Sequence, residues 1–386
     1  MTGPPVEERS DLPTVTYLSM DPLTSTVGSS QVLAYVERLA LRGVDVDLVT
    51  FEHDVDPVLH RRLVSLGVTW RPQRFGQHGA VGGLSRVLRA AWAVRGAAIV
   101  HARSDMAAAA VMLARIDHWV WDVRSFWADQ RISIGVLRFG SPQERVFRWV
   151  EQRSAFRATA VITLTESAIE ELDRRYGGVV GNKARIVTTC VDLGRFRVSP
   201  MPTPIEVRVL LAGTLSRYYD LGSMLDLMAE LRRRRSVEFI VASPEENSWE
   251  DELVEVDVKR MSATPEEMPD LVASCHVGLS ICRDDVGVSL LAAMPTKIGE
   301  FLASGRPVVV NPGLVDAAKL VGSHGCGVVF GASVSGRIEE AVNLLERQLD
   351  DPYLPNRCRN LAEAHFDLED GVDQLVATYH SVKASP

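Results

Sequence analysis

Cysteine is scarce and scattered in this chain. The five residues, Cys190, Cys275, Cys282, Cys326 and Cys358, are odd in number, and none stands in a CxxC pair. That spacing argues against a structural zinc site or a disulfide framework and suits thiols in a reducing cytosol. Long apolar runs are missing too. Nowhere do about 18 apolar residues follow one another without a charge, so no membrane span is expected. Met1 to Pro13 is polar and proline-bearing, without the basic start and apolar run of a signal peptide, so a cytoplasmic protein is expected. Aromatics make up only 6% of residues and no dense basic stripe is interleaved with them, so nucleic acid is not an expected partner. No cluster of metal-ligating side chains stands out, and no cofactor is implied.

What remains has the composition of a globular protein, 46% hydrophobic and 24% charged over 386 residues. That length suggests two or three domains. The charge is uneven. Residues 1–200 hold 25 Lys+Arg and 21 Asp+Glu, a net of +4; the rest hold 17 and 29, a net of −12.

The first half alternates strands and helices. Val15–Met20 reads as a strand, followed by a loop with Pro22, Gly28 and Ser29. Gln31–Leu41 follows at helical spacing and is closed by Arg42-Gly43. Val44–Thr50, Ala97–His101, Trp119–Val123, Ala160–Leu164 and Ala184–Thr188 read as further strands. Helices are expected over Met106–Arg115 and from Glu166 to about Arg175. Ser199-Pro200-Met201-Pro202-Thr203-Pro204 reads as a stiff linker.

The second half repeats the grammar. Strands are expected at Val207–Ala212, Val237–Ala242, Val277–Ile281 and Pro307–Val310. A helix is expected from Gly213-Thr214-Leu215-Ser216 to about Arg235, another across Pro269–Ala273, a third over Lys297–Ala303, and a long helical stretch from Gly336 to Val382. Strands alternating with helices imply parallel sheets covered on both faces. The expected fold class is therefore α/β, with two Rossmann-like doubly wound domains facing across a cleft where ligands bind.

Four segments could carry chemistry. Pro295-Thr296-Lys297-Ile298-Gly299-Glu300 opens a helix whose exposed amides and lysine make an anion site; Glu300, on the same face, could accept two ribose hydroxyls. Read from chemistry alone, it is equally a capped helix with a surface ion pair. Gly28-Ser29 offers small residues at a helix start. Gly213-Thr214-Leu215-Ser216-Arg217-Tyr218-Tyr219-Asp220 carries one cation, Arg217, which reads as an anion ligand or as a solvated arginine. Trp121 to Asp129 sets Asp122, Arg124 and Asp129 among aromatics, suited to orienting hydroxyls or to a structural ion pair. His101, ending a strand, reads as a cleft residue or a buried one.

These segments resemble the GT-B glycosyltransferases, specifically the family-4 retaining type. Pro295–Glu300 with the following Ala303-Ser304-Gly305-Arg306-Pro307-Val308-Val309 is similar to that family's signature region. The resemblance covers nearly the whole chain. It implies an N-terminal acceptor-side domain at 1–198, a donor-side domain at 205–365, and a C-terminal helix at 366–386 packing back toward the first. It implies Glu300 on the ribose, and Pro295, Thr296, Lys297, Gly213, Thr214 and Arg217 on the diphosphate. Gly28 and Ser29 would touch donor phosphate or acceptor, and Asp122 and Arg124 would lie near the reacting sugars. Thr214 stands where an arginine is usual, and Ala292 where most members carry a glutamate touching the donor sugar.

The activity so implied is metal-independent sugar transfer from a nucleotide-diphosphate sugar to a small-molecule, lipid-linked or saccharide acceptor, with retention. Three other readings are a phosphoribosyl-type transferase, a nucleotide-sugar epimerase of the same architecture, and an inactive sugar-nucleotide binding protein. Arg131, Arg138, Arg145, Arg148, Arg153 and Arg157 recur with Val136, Leu137, Phe139, Phe147 and Trp149. This stretch suits weak peripheral contact with anionic lipid, an anionic acceptor site, or an ordinary solvated helix. The oligomeric state is not legible.

Overall fold

The structure, a computed structural model, describes residues 11–202, 206–213, 216–243 and 257–385. Thr214 and part of the proline-rich stretch lie outside them. The chain forms two compact units. The first comprises residues up to 128, 137–187 and 368 onward; the second comprises 129–136 and 188–367.

The first unit holds a seven-stranded, all-parallel sheet. Its strands are β1 (Val15–Ser19), β2 (Val46–Glu52), β3 (Thr69–Arg74), β4 (Ile99–Arg103), β5 (Trp119–Val123), β6 (Ala160–Thr163) and β7 (Ala184–Ile186). Their order is β3-β2-β1-β4-β5-β6-β7. Strands β1, β4 and β5 are buried along their whole lengths, as strands covered on both faces must be. The helices are α1 (Thr26–Gly28), α2 (Ala34–Leu41), α3 (Pro57–Ser65), α4 (Gly79–Ala93), α5 (Asp105–Ala114), α6 (Trp127–Ser133), α7 (Pro142–Arg157) and α8 (Glu166–Tyr176). Helix α6 begins in the first unit and ends in the second.

The second unit repeats the winding with six parallel strands: β8 (Val207–Ala212), β9 (Val237–Ala242), β10 (Val258–Met261), β11 (Val277–Ser280), β12 (Val308–Val310) and β13 (Gly327–Val329), in the order β10-β9-β8-β11-β12-β13. Its helices are α9 (Leu221–Arg232), α10 (Met268–Ala273), α11 (Thr296–Ala303), α12 (Val315–Ser323), α13 (Ile338–Leu349) and α14 (Leu354–His365). The last helix, α15 (Leu368–Lys383), belongs to the first unit, where Arg38 and Arg42 of the α2 region pair with its Glu369 and Asp373.

In both sheets the winding reverses beside the first strand, between β1 and β4 and between β8 and β11. Crevices at the carboxyl ends of such strands are where doubly wound sheets bind ligands.

Three expectations give way. Gly28 and Ser29 are not in a loop: they lie in α1 and in a π-helical turn, Ser29–Leu33, that runs on into α2. The helix expected from Gly213 begins only at Leu221. Tyr219 is held in a bridge to Cys282, and the Asp220 carboxylate caps the Ser223 amide. The long stretch from Gly336 is three helices, broken near Asp350–Tyr353 and at Phe366.

The chain also leaves the first unit before the proline-rich stretch rather than within it. Thr189 donates to the Met294 carbonyl, and the Val191 amide to Phe366. Farther on, the buried Arg306 guanidinium donates to the carbonyls of Ser199, Pro200 and Ala273 and to Ser199 Oγ. Arg306 is therefore a structural clamp within the second unit.

Ser104, between β4 and α5, has φ 86° and ψ 166°, a conformation that costs a residue with a side chain about 1–3 kcal/mol. Relief of that strain should let Ser104→Gly melt about 2–4 °C higher than wild type. An unchanged or lower melting point would show that the surroundings, not the backbone, set the energy there.

Candidate functional site

The second unit brings Gly213, Tyr219 and Lys297 together. Gly213 follows β8 with φ 105°, and a methyl group built on it would stand 3.8 Å from Lys297 Nζ. The left-handed backbone is what calls for glycine here; a methyl group would meet the amine only in ordinary van der Waals contact. Lys297 sits in the first turn of α11, and its ammonium lies 4.3 Å from the centre of the Tyr219 ring. The side chain is only 8% exposed, and Nζ has no hydrogen-bond partner among the described residues.

A buried amine without an anion is costly, and the ring quadrupole replaces only part of its hydration. The arrangement suits a negatively charged group. Pro295, in extended backbone, precedes the helix and accepts from the Ile298 amide at 3.0 Å. The amides of Thr296 and Lys297 belong to the first turn, at the positive end of the helix dipole.

Glu300 follows one turn on, partly exposed. Desolvation raises its pKa to about 7, opposed by the nearby charges of Lys297 and Arg195. Gly299 between them has no room for a side chain: a methyl there would meet Phe366 at 3.0 Å and Val191 at 3.2 Å. The helix is thereby seated against its neighbours with Lys297 and Glu300 fixed.

The Arg217 side chain is exposed, and its carbonyl accepts from Arg283 Nη1 at 3.2 Å. Nothing in the described contacts brings the guanidinium to Lys297, because the turn it sits on stays outside the helix. Ala292 is fully buried. A separate groove of about 410 Å³, lined by Asp284, Gly287, Pro312, Gly313 and Ser333 among others, shares no residue with the Lys297 cradle.

The first unit gathers a different set at the ends of β1, β4 and β5. Arg124 donates to Asp122 Oδ1 at 3.3 Å and to Gln31 Oε1 at 2.9 Å. Asp122 also meets His101 Nε2 at 3.2 Å. Burial works to raise the Asp122 carboxyl, but Arg124 and His101 hold it down to about 2. Burial lowers the His101 pKa, against the opposing pull of Asp122, and favours the neutral ring; Nδ1 lies 3.0 Å from the Tyr379 hydroxyl of α15, and the tautomer that donates from Nε2 to Asp122 would accept there. His101 is 1% exposed and stacks on Tyr17, so it is an internal residue that steadies Asp122. Arg124 is the member of this chain that keeps some exposure.

Gly28 serves the local backbone. A methyl on it would stand 1.9 Å from the Pro22 carbonyl oxygen. Its amide is taken by Ser25 Oγ at 3.0 Å and that of Ser29 by the Ser25 carbonyl at 2.8 Å. Neither amide is free for a ligand in this conformation. Gln31, in the π-helical turn, and the Arg103–Asp21 pair were not picked out in the sequence. A π-turn is a common mark of functional sites, but no residue pattern announces one.

Residues 28–190 match the model of the glycosyl transferase 4-like domain. The chain has the GT-B fold, with two parallel-sheet α/β units. Solved structures of that architecture align over almost its whole length. HepE from Anabaena, in complex with UDP and glucose, is 16% identical, with a TM-score of 0.67 over 95% of this chain and 99% of its own. Sucrose-phosphate synthase from Thermosynechococcus elongatus is 17% identical, with a TM-score of 0.68 over 95% and 98%. WaaG, a glycosyltransferase involved in lipopolysaccharide biosynthesis, is 14% identical, with a TM-score of 0.65 over 94% and 98%. No protein of curated function matches the sequence.

Proposed function

We propose that this protein is a glycosyltransferase that takes its sugar from a nucleoside-diphosphate sugar held on the second unit and transfers it with retention. The observation that carries the reading is the buried Lys297 amine beside Gly213, without a hydrogen-bond partner among the described residues. HepE, of the same fold, was solved with UDP-glucose as well as with UDP.

In this reading the diphosphate lies across Gly213, the first turn of α11 and Lys297. The amine and the helix amides neutralise the charge that grows as the diphosphate leaves, which is stabilisation of the transition state rather than of the ground state. Glu300 accepts the ribose hydroxyls. Arg124, held by Asp122 and Gln31, supplies a fixed guanidinium for the acceptor or the reacting sugar. No nucleophilic side chain is required.

Thermal-shift and calorimetric titration with UDP, GDP and ADP, followed by product analysis with donor alone, test the reading. A diphosphate that stabilises the protein, without epimerised donor, is the expected outcome.

Glu300 gives the reading a pH signature. Its ionised form is the better acceptor for two hydroxyls, and it is lost as pH falls through about 7. Donor affinity should be about tenfold weaker at pH 6 than on its alkaline plateau. The free protein should respond in the opposite sense. A carboxyl whose folded pKa lies above its unfolded value binds more protons when folded, so this contribution stabilises the protein as pH falls from about 7 towards 4.5. Glu300→Gln should flatten both profiles. An unchanged affinity profile in that variant would remove Glu300 from the ribose.

A further inference from the structure

Helices α4, α5 and α7 lie side by side in the first unit. On α4, Val81, Leu84, Leu88 and Trp92 form one outward stripe, with Trp92 74% exposed and Val81 76%. The middle helix, α5, turns Met106, Ala109, Met112 and Leu113 toward the outside, and none carries a charge. On α7 the outward residues include Val146, Trp149 and Phe156.

The charges on these helices are segregated. Their acidic residues, Asp105, Glu144 and Glu151, are all buried. Arg145, Arg153 and Arg157 are exposed beside the aromatics, with the Arg153 guanidinium 5.8 Å from the Trp149 ring centre. Just beyond the ends of α4 and α5, Arg95 and Arg115 are exposed, as is Asp117. The outward surface of these three helices is thus apolar and cationic, without an exposed carboxylate.

We propose that this face docks on an anionic lipid bilayer. A contiguous apolar patch of this kind marks an interaction surface, and tryptophan, phenylalanine, leucine and arginine are the residues that settle at the boundary of headgroups and acyl chains. The charge pattern chooses the partner. Against a second copy of this chain the same face would set arginine against arginine with no carboxylate to answer it. Against an anionic bilayer every exposed charge on the three helices is attractive, although the chain as a whole carries −8. No single helix among the described residues is long and apolar enough to cross a membrane, so the contact is peripheral. The proposal is independent of the donor site, which lies on the second unit.

The test is sedimentation of the full chain with vesicles of phosphatidylcholine alone and of phosphatidylcholine with about 30 mol% phosphatidylglycerol. Wild type should bind the anionic vesicles, release in high salt, and show a blue shift in tryptophan emission. Leu88→Gln with Trp92→Gln should weaken partitioning at least about tenfold, as should Arg145→Gln with Arg153→Gln. Val58→Gln, on an exposed position of α3, should leave it unchanged, and each variant is checked for an unaltered circular dichroism spectrum. Failure of wild type to bind at low salt would overturn the proposal. So would binding indifferent to the α4 variant, or a dimer that the α4 variant dissolves.

Discussion

Lys297→Met is expected to lower donor turnover by about 10²–10³-fold while leaving the free protein as stable as wild type or more so. The first half follows from removing a preorganised cation aimed at a leaving diphosphate, a loss of that order in comparable sites. The second follows from its surroundings: Nζ is buried without a hydrogen bond among the described residues, so an isosteric apolar chain over Tyr219 removes a desolvation penalty larger than the ring contact it gives up. Turnover can be read without knowing the acceptor, as release of the nucleoside diphosphate with water attacking the donor. The two effects have opposite signs, which separates a ligand role from a folding role. A variant that is both inactive and markedly destabilised would make Lys297 structural, and one that is fully active would remove it from the site.

Arg124→Met should cost about 3–5 kcal/mol of stability near neutral pH. Asp122 is 2% exposed and keeps its charge because Arg124 and His101 face it. Without the guanidinium, a buried carboxylate is left with a neutral imidazole, the case in which breaking one half of a pair is most damaging. The deficit should shrink on acidification. In wild type the depressed carboxyl contributes stability that is complete above its unfolded pKa and fades only as pH falls through about 2. In the variant that stabilising charge is a liability, and protonation relieves it. Asp122→Asn combined with Arg124→Met should recover most of the loss, since no charge remains orphaned. Urea denaturation at several pH values measures all three effects. A single variant that melts like wild type would show that Asp122 is solvated by other means.

The elements legible in the sequence were those with a strong period or a long apolar run. The strands β1, β2, β4, β5, β6, β8, β9, β11 and β12 stood out because they are buried and rich in Val, Ile and Leu. Strand β3, Thr-Trp-Arg-Pro-Gln-Arg, is a half-exposed sheet edge with an internal proline, and β10, Val-Lys-Arg-Met, is likewise an exposed edge. Neither has the alternation that a solvated strand usually shows. Strand β13 has three residues, too few for any pattern.

The candidate site was legible where helix-start chemistry marks it, at Pro295 to Glu300. It was obscure where tertiary contacts decide. No local feature shows that Tyr219 meets Lys297, that Gln31 meets Arg124 from 93 positions away, or that Tyr379 reaches His101 across 278. The packing at Gly28 is obscure for a related reason: nothing local shows that it makes room for the Pro22 carbonyl.

The central claim is that Gly213, Lys297 and Glu300 bind a nucleoside diphosphate on the second unit. Isothermal titration of UDP into wild type and Lys297→Met at pH 8, where Glu300 is mostly ionised, tests it most directly. Saturable binding to wild type is expected, with at least about tenfold weaker binding to the variant, a loss of about 1.4 kcal/mol or more. Equal affinities would contradict it, as would the absence of binding by wild type to UDP, GDP and ADP alike.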